Sequence, residues 1–392
     1  SHGPGAELRM DGKGDQGAKR SVKEEEEEGI VKTKAPDEVD YANYFCAYAE
    51  LYHQKQMLVD TIRMEQYMAS MMENKQQFKG KVVIDIGAGT GILSIWAAKA
   101  GAAKVYAIEA TEMARYARRL IKHNQLDNII TVIQGKAEEV SLSEKADIII
   151  SEWMGCFLLR ESMLDTVIWA RDHLMKKDGA LYPSHARIVI GAIVDSDRRM
   201  DDKRTMCHGD RVEWSRFTAM AKHKYQVDMN ILTKSYHKEL EEYYFNTAMC
   251  LNLHPDQILG ENVRVIEWDL HEVTLDQLKK DKSASFDMKM MSSGVMGGLA
   301  GWFDVDFKGS KKNPAGTPVV LSTSPRVGIT HWGQQAFFLH NPVHVSRGDT
   351  CRVNMRITRQ RKNDRMIDVV LSLKGTLAGA SYEMPPTLYH VE

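Results

Sequence analysis

A chain of 392 residues exceeds what one small hydrophobic core supports, so two folded domains are expected. Its 52 basic and 53 acidic side chains nearly cancel, which leaves no bulk attraction to nucleic acid or to a membrane surface; a basic partner would have to be drawn by local acids. The five cysteines (Cys46, Cys156, Cys207, Cys250 and Cys351) are scattered, without CxxC spacing or paired histidines, which argues against a disulfide framework and a zinc site and for a reducing compartment.

Residues 1–37 hold glycines, lysines and acids, including the run Glu24 to Glu28, and almost no large apolar side chains. They predict a disordered acidic and polar segment without the apolar core of a signal peptide. No later run approaches the roughly 20 apolar residues of a membrane span, so nucleus and cytoplasm are the expected locations. From residue 38 the character changes: Tyr41, Tyr44, Phe45, Tyr48 and Tyr52 recur at three- and four-residue steps, one aromatic face of a helix. A second helix reaches about Asn74, which makes 38–80 a helical unit.

Over 81–183 the pattern is βαβ. Lys81–Ile86, Lys104–Glu109, Ile129–Gln134 and Asp147–Ser151 read as short apolar strands, separated by helical stretches such as Leu93–Lys99 and Glu112–Asn124. That alternation predicts a Rossmann-like parallel sheet covered on both faces. Beyond Pro183 the segments Arg187–Val194, Val319–Ser322, Ala336–Leu339, Cys351–Thr358 and Ile367–Lys374 alternate with period two, which predicts an antiparallel β-barrel domain over 184–392. A charged, helix-favouring insertion at about 195–251 interrupts it, and its interspersed Trp214, Phe217, Tyr225, Met229 and Leu232 suit a dimerisation arm.

Within the first domain, Asp85-Ile86-Gly87-Ala88-Gly89-Thr90-Gly91 places glycine at every second position. A dinucleotide fingerprint needs a further glycine where Ile92 stands, so that reading fails. An acid at the head of the loop disfavours a pyrophosphate and suits a cationic ligand without phosphate, such as S-adenosylmethionine with its ammonium and sulfonium groups. Glu109 ends the next strand, 18 residues beyond Gly91, where an acid accepts from a ribose diol. The plainer alternatives are that Asp85 caps the glycine turn and Glu109 caps the next helix. In Gly135-Lys136-Ala137-Glu138, Glu138 stands at the sheet's carboxyl edge and can accept from an adenine amino group, or be a solvated loop acid.

Glu152 follows the fourth strand and Glu161 comes nine residues later, before a helical run from about Ser162. A loop of this length can fold back and bring the carboxylates together. A glycosidase also uses a carboxylate pair, but the glycine loop argues against one. An enzyme methylating arginine needs the pair: a guanidinium is always protonated and poorly nucleophilic, and two carboxylates can grip its planar fork and turn one nitrogen toward the methyl group. Glu161 can equally be an ordinary first-turn helix acid.

Tyr44-Phe45-x-x-Tyr48, the glycine loop, Ser151-Glu152-Trp153-Met154-Gly155 with Glu161, and Thr330-His331-Trp332 together resemble the protein arginine methyltransferases, over about Tyr41 to Glu392. The resemblance is to the type I enzymes, and the long insertion is similar to that of the plant-only member with an extended dimerisation arm. It implies transfer of methyl groups from S-adenosylmethionine to arginine in histones and Arg/Gly-rich proteins, giving mono- and asymmetric dimethylarginine and S-adenosylhomocysteine, by a homodimer without metal. Catalytic roles then fall to Glu152 and Glu161 as substrate clamp, and to His331 paired with Asp60, either as proton relay or as a lock between helix and barrel. Cofactor contacts fall to Tyr48, Gln54, Met57, Arg63, Asp85, Gly87, Gly89, Gly91, Glu109, Ala137 and Glu138, with Arg63 on the cofactor's carboxylate. Tyr44, Tyr48, Met57, Met154, Met163 and Trp332 join the glutamates around the substrate, the methionines Met57 and Met163 shaping space for a second methyl group.

Two positions depart from the family pattern: Gln54 stands where many relatives have histidine, and Cys156 where tyrosine is common. Rivals to this reading are a methyltransferase with a non-protein substrate and a catalytically silent scaffold.

Overall fold

The computed structural model describes residues 48–361 and 363–391. The expected acidic segment 1–37, together with Tyr41, Tyr44 and Phe45, lies outside the described residues. The first helices described are Leu51–Leu58, Thr61–Met72 and the single turn Lys75–Phe78. Tyr48 and Tyr52 do not share one helix as their spacing predicts: Glu50 between them is extended (φ −106°, ψ 133°), and Tyr52 is exposed.

Five parallel strands follow, β1 (Val82–Ile86), β2 (Lys104–Glu109), β3 (Ile130–Gln134), β4 (Ala146–Ser151) and β5 (Met175–Tyr182), in the spatial order β3-β2-β1-β4-β5. Every residue of β1 is buried, as a central parallel strand covered on both faces requires. The helices Ile92–Lys99, Met113–His123 and Leu164–Leu174 lie between these strands in the chain. The chain runs outward from β1 through β2 to β3, then returns to place β4 on the other side of β1. Strand order thus reverses between β1 and β4, and the crevice outside the carboxyl ends of strands at such a reversal is where open α/β sheets bind ligands.

The remaining strands are β6 (His185–Val194), β7 (Met249–Leu251), β8 (Val263–Asp269), β9 (Lys282–Lys289), β10 (Gly294–Gly309), β11 (Pro314–Ser322), β12 (Gln334–Val345), β13 (Thr350–Arg359), β14 (Ile367–Leu377) and β15 (Ala380–Val391). They form two antiparallel sheets, β7-β12-β10-β6-β8 with β11 beside β10, and β15-β14-β13-β9. In β13 Cys351, Val353, Met355 and Ile357 point inward while Arg352, Asn354 and Arg356 face out, the period of two that its sequence predicts. Both sheets share one apolar core with the parallel sheet.

The helix Thr61–Met72 ties the layers together. Tyr67 packs edge-on against Phe307 of β10 with ring centroids 5.0 Å apart, and its hydroxyl donates to the carbonyl of Ser151 at the end of β4 (2.9 Å). Asn74, just beyond, donates to the carbonyl of Thr317 and accepts from its N–H, both at 2.9 Å.

The charged insertion is a helical hairpin of Arg199–Met220 and Thr233–Phe245, in which Trp214 stacks on Tyr236 at 4.2 Å and donates from Nε1 to the hydroxyl of Thr233 (3.0 Å). At its root Met200 and Phe245 pack with Ile193, Ala300 and Phe338. Along the insertion, Met206, Phe217, Tyr225, Ile231 and Tyr243 are exposed, Ile231 by 86%.

Candidate active site

A cavity of about 800 Å³ opens at the carboxyl ends of β1 to β4, and His331 and Trp332 of the β-domain close its far side. Its first half is built by the glycine loop. Gly87 and Gly89 hold φ of 70° and 55°, conformations that suit glycine. A Cβ on Gly87 would stand 2.3 Å from Cε of Met163, and one on Gly89 would stand 3.0 Å from Oε1 of Gln54. Gln54 is itself buried and donates from Nε2 to the carbonyl of Tyr48 (3.0 Å), so it joins the helix Leu51–Leu58 to both the loop and the preceding segment.

Glu109 ends β2 on the cavity wall, with Oε2 accepting from the N–H of Gly89 and Oε1 from the N–H of Thr111, each at 2.8 Å. Glu109 thus ties down the glycine loop and the turn after β2 and does not cap the next helix, whose N-cap Glu112 has no side-chain cap bond; a carboxylate has about four lone-pair sites, so two remain for a ligand. Ala137 and Glu138 line the same wall, and Glu138 accepts from the hydroxyl of Thr166 (2.7 Å).

Asp85 and Gly91, both expected at the ligand, do not line the cavity. The Asp85 side chain points to the face of the sheet covered by the helix Ile92–Lys99, where its Oδ2 accepts from the hydroxyl of Ser94 (2.7 Å) and its Oδ1 has no partner. It is fully buried, and that burial pushes its carboxyl up to about 7. Gly91 is the N-cap of that helix at φ 84°, and a Cβ there would stand 3.1 Å from Ile121. Its absence of side chain serves packing against the helix Met113–His123.

The second half of the cavity holds the two glutamates. Glu152 accepts from the N–H of Met154 at Oε1 (3.2 Å), and from both Nε (3.2 Å) and Nη2 (2.9 Å) of Arg63 at Oε2. Arg63 also donates from Nη1 to the carbonyl of Met57 (3.2 Å), so the residue expected on a cofactor carboxylate here holds the first glutamate and the preceding helix together. Glu161 accepts from the hydroxyl of Tyr48 at 3.0 and 3.2 Å. The Met154 carbonyl accepts from Nε1 of Trp332 (2.8 Å), which anchors the loop between the glutamates to the β-domain. Met57, Met154 and Met163 all line the cavity, as does the half-buried Cys156, whose thiol is pushed up by burial.

Asp60 does two jobs. Its Oδ1 accepts from the N–H of Arg63 (3.0 Å) and caps the helix Thr61–Met72, while Oδ2 accepts from the N–H of His331 (2.9 Å) and pairs with its Nδ1 (2.7 Å). Burial opposes its charge, but these bonds from His331 and Arg63 outweigh it and hold the carboxyl below its ordinary value. The pairing engages Nδ1 of His331 and leaves its Nε2 as the ring nitrogen that does not meet Asp60.

The structure thus brings Tyr48, Gln54, Met57, Arg63, Gly87, Gly89, Glu109, Ala137, Glu138, Glu152, Met154, Glu161, Met163, His331 and Trp332 to one cavity, with Asp60 behind His331. Tyr44 lies outside the described residues. Sequence reading missed Ser94, Thr166, Asp364 and Arg365; the last three line the cavity, Asp364 and Arg365 from the loop between β13 and β14. No local signal marks them, since they meet the site across some two hundred residues of chain.

Two families match parts of the chain, one described as arginine methyltransferase oligomerization subdomain over residues 206–377 and one as ribosomal protein L11 methyltransferase over residues 65–168. The protein arginine N-methyltransferase PRMT10 of Oryza sativa subsp. japonica is 47% identical over 335 residues, which are 85% of this chain and 87% of the rice protein. The chain belongs to the protein arginine methyltransferase family. The crystal structure of Arabidopsis thaliana protein arginine methyltransferase 10, described as a uniquely open conformation, superposes with a TM-score of 0.85 at 43% identity, covering 89% of this chain and all of that one. A relative named histone-arginine methyltransferase CARMER, from Drosophila yakuba, is 34% identical over 358 residues, covering 90% of this chain and 62% of that protein.

As a protein arginine methyltransferase, the chain transfers methyl groups from S-adenosylmethionine to arginine guanidino nitrogens. The residues present fit that methyl donor: glycines clear a cradle that side chains would fill, Glu109 keeps lone pairs for a diol, and the cavity volume lies within the usual range for small ligands, roughly 300–1,000 Å³.

Proposed function

We propose that the chain is a type I enzyme, forming mono- and asymmetric dimethylarginine in histones and Arg/Gly-rich proteins of nucleus and cytoplasm, as a homodimer joined through the hairpin 199–245. The observation that carries the arginine site is that Glu152 and Glu161 line one cavity, and that Glu152 accepts from a guanidinium already, Arg63 Nε and Nη2 converging on its Oε2. Support for asymmetric product comes from Met57 and Met163, flexible and narrower than aromatic rings, on the cavity lining. Exposed apolar side chains on the hairpin, and the oligomerization subdomain matched from residue 206, support the dimer.

S-adenosylmethionine, when bound, supplies an electrophilic methyl group on its sulfonium. Gly87, Gly89 and Glu109 would hold the donor on the β1–β2 side, with Glu138 beyond. Glu152 and Glu161 would grip the substrate guanidinium, concentrating its charge on the nitrogens they touch and freeing the lone pair of the third. The Tyr48 hydroxyl orients Glu161, while Met154 N–H and Arg63 orient Glu152. Transfer leaves one proton to be shed from the methylated nitrogen. We assign its acceptance to Nε2 of His331, a residue that lines the cavity and whose Nδ1 is steadied by Asp60.

The test is incubation of the full chain with methyl-labelled S-adenosylmethionine and an Arg/Gly-rich peptide or histone, followed by separation of the methylarginines. Mono- and asymmetric products are expected; symmetric dimethylarginine alone overturns the type I assignment. Binding of donor and peptide without transfer would make the chain a silent scaffold. Deleting residues 199–245 should give monomers of weakened activity, and a fully active monomer would overturn the arm's role.

A further inference from the structure

Glu161 and the following Ser162 both have positive φ, 81° and 55°, although neither is glycine or asparagine. L-residues with a Cβ avoid this region, and two in succession persist only where the surroundings enforce them. The enforcing contacts come from the β-domain. The N–H of Glu161 donates to the carbonyl of Arg365 (2.6 Å), the hydroxyl of Ser162 donates to the carbonyl of Asp364 (2.6 Å), and Nη1 of Arg365 donates to the carbonyl of Glu161 (3.4 Å).

The described residues that supply them are themselves held. Gln360 N–H donates to the carbonyl of Met366 (3.0 Å) and Met366 N–H to that of Asn363 (3.1 Å), which tightens the turn between β13 and β14. At its base Arg359 forms two parallel bonds to Asp165, each 2.7 Å, on the helix that follows Glu161. The turn therefore grips the chain at residues 161, 162 and 165, while Asp364 and Arg365 line the same cavity as the glutamates.

We propose that the β13–β14 turn is a positioning element for Glu161, acting through Ser162 and Arg365 to hold the left-handed backbone that aims this carboxylate at the substrate guanidinium. The two glutamates are then set by different contacts. Glu152 is held by Arg63 and the Met154 N–H, and Glu161 by the Tyr48 hydroxyl and the β13–β14 turn. The proposal rests on arginine methylation and is indifferent to which dimethylarginine forms.

The experiment compares full-length native chain with Ser162→Ala, Ser162→Gly and Arg365→Ala, measuring kcat and KM for an Arg/Gly-rich peptide, S-adenosylhomocysteine affinity by calorimetry, and the unfolding temperature. Ser162→Ala and Arg365→Ala should lower kcat/KM about tenfold or more, with S-adenosylhomocysteine affinity within about twofold of native. Ser162→Gly should retain more activity than Ser162→Ala, because glycine reaches positive φ without the tether. If Ser162→Ala does not fold, the glycine and Arg365 variants carry the test. Native rates in Ser162→Ala and Arg365→Ala overturn the positioning role, as does a parallel loss of S-adenosylhomocysteine affinity, which would make the turn a general prop. A native chain inactive on arginine peptides would overturn arginine methylation itself, and the native control alone reveals that outcome.

Discussion

The guanidinium of Arg63 rests on one oxygen of Glu152, 3.2 Å away through Nε and 2.9 Å through Nη2, with both side chains about one-tenth exposed. Removing one partner of such a pair leaves the other charge desolvated. Arg63→Ala should therefore destabilise the protein by roughly 3 kcal/mol, less where water enters the cavity, and Arg63→Lys should recover only part of this because ammonium lacks the fork. Urea midpoints check the order. Glu152→Gln keeps an acceptor for Met154 N–H but loses the charge, so methyl transfer should fall by about a hundredfold or more while S-adenosylhomocysteine still binds. Transfer by this variant at the native rate would remove Glu152 from the mechanism.

The Asp60–His331 contact makes a claim about acid stability. Folding lowers the Asp60 carboxyl below its ordinary 3.8, so its contribution is whole above that value and fades as pH falls through the folded one. Asp60→Asn should cost roughly 2 kcal/mol near neutral pH, through a weakened helix cap and lost charge-assisted bonds to His331. That cost should shrink below about pH 4. Denaturant titrations of native and variant at several pH values test it, and a cost that stays constant into acid would show that the charge of Asp60 is not what stabilises. The same variant separates lock from relay: if the pair is only a lock, the pH dependence of kcat should not change.

Much of this site was legible because its carriers are local. Strands β1 to β4 are nearly continuous apolar runs, and their carboxyl ends bear the glycine loop, Glu109, Glu138 and Glu152 in sequence. What periodicity could not supply is direction. Asp85 lies on a strand whose two faces are both buried, so nothing in its neighbours says that its side chain turns toward Ser94 and away from the cavity. Nor does a three-and-four-residue aromatic pattern register the single extended Glu50 that separates Tyr48 from Tyr52. β10 was hidden by its own glycines, which depress strand propensity yet here allow close approach: a Cβ on Gly298 would stand 2.5 Å from the carbonyl oxygen of Phe337 on β12. The turn that grips Glu161 meets it only after the fold has formed.

Asp85 should leave a mark of opposite sign from that of Asp60. Its folded carboxyl is raised to about 7 from 3.8, so between those values the folded chain binds more protons than the unfolded one, and stability falls as pH rises through the window. Asp85→Asn keeps an acceptor for the Ser94 hydroxyl and removes the titration. The variant should be flatter than native between about pH 4 and 7, gaining relative stability at the alkaline end of that window. Identical slopes in urea titrations would mean that Asp85 is charged throughout in the folded protein.

Gly87 and Met163 test the cradle. A methyl group at Gly87 meets two obstacles, a φ of 70° and the Cε of Met163 at 2.3 Å. The second is the far end of a flexible side chain, whereas the first is intrinsic to the backbone. Gly87→Ala should therefore weaken S-adenosylhomocysteine binding by about tenfold, and adding Met163→Ala should restore part of the loss but not all, since a strain of about 1 kcal/mol remains. Calorimetry on native, both single variants and the double closes the cycle. Full restoration would assign the effect to steric contact alone. No loss in Gly87→Ala would show that the loop does not need its left-handed turn to take the cofactor.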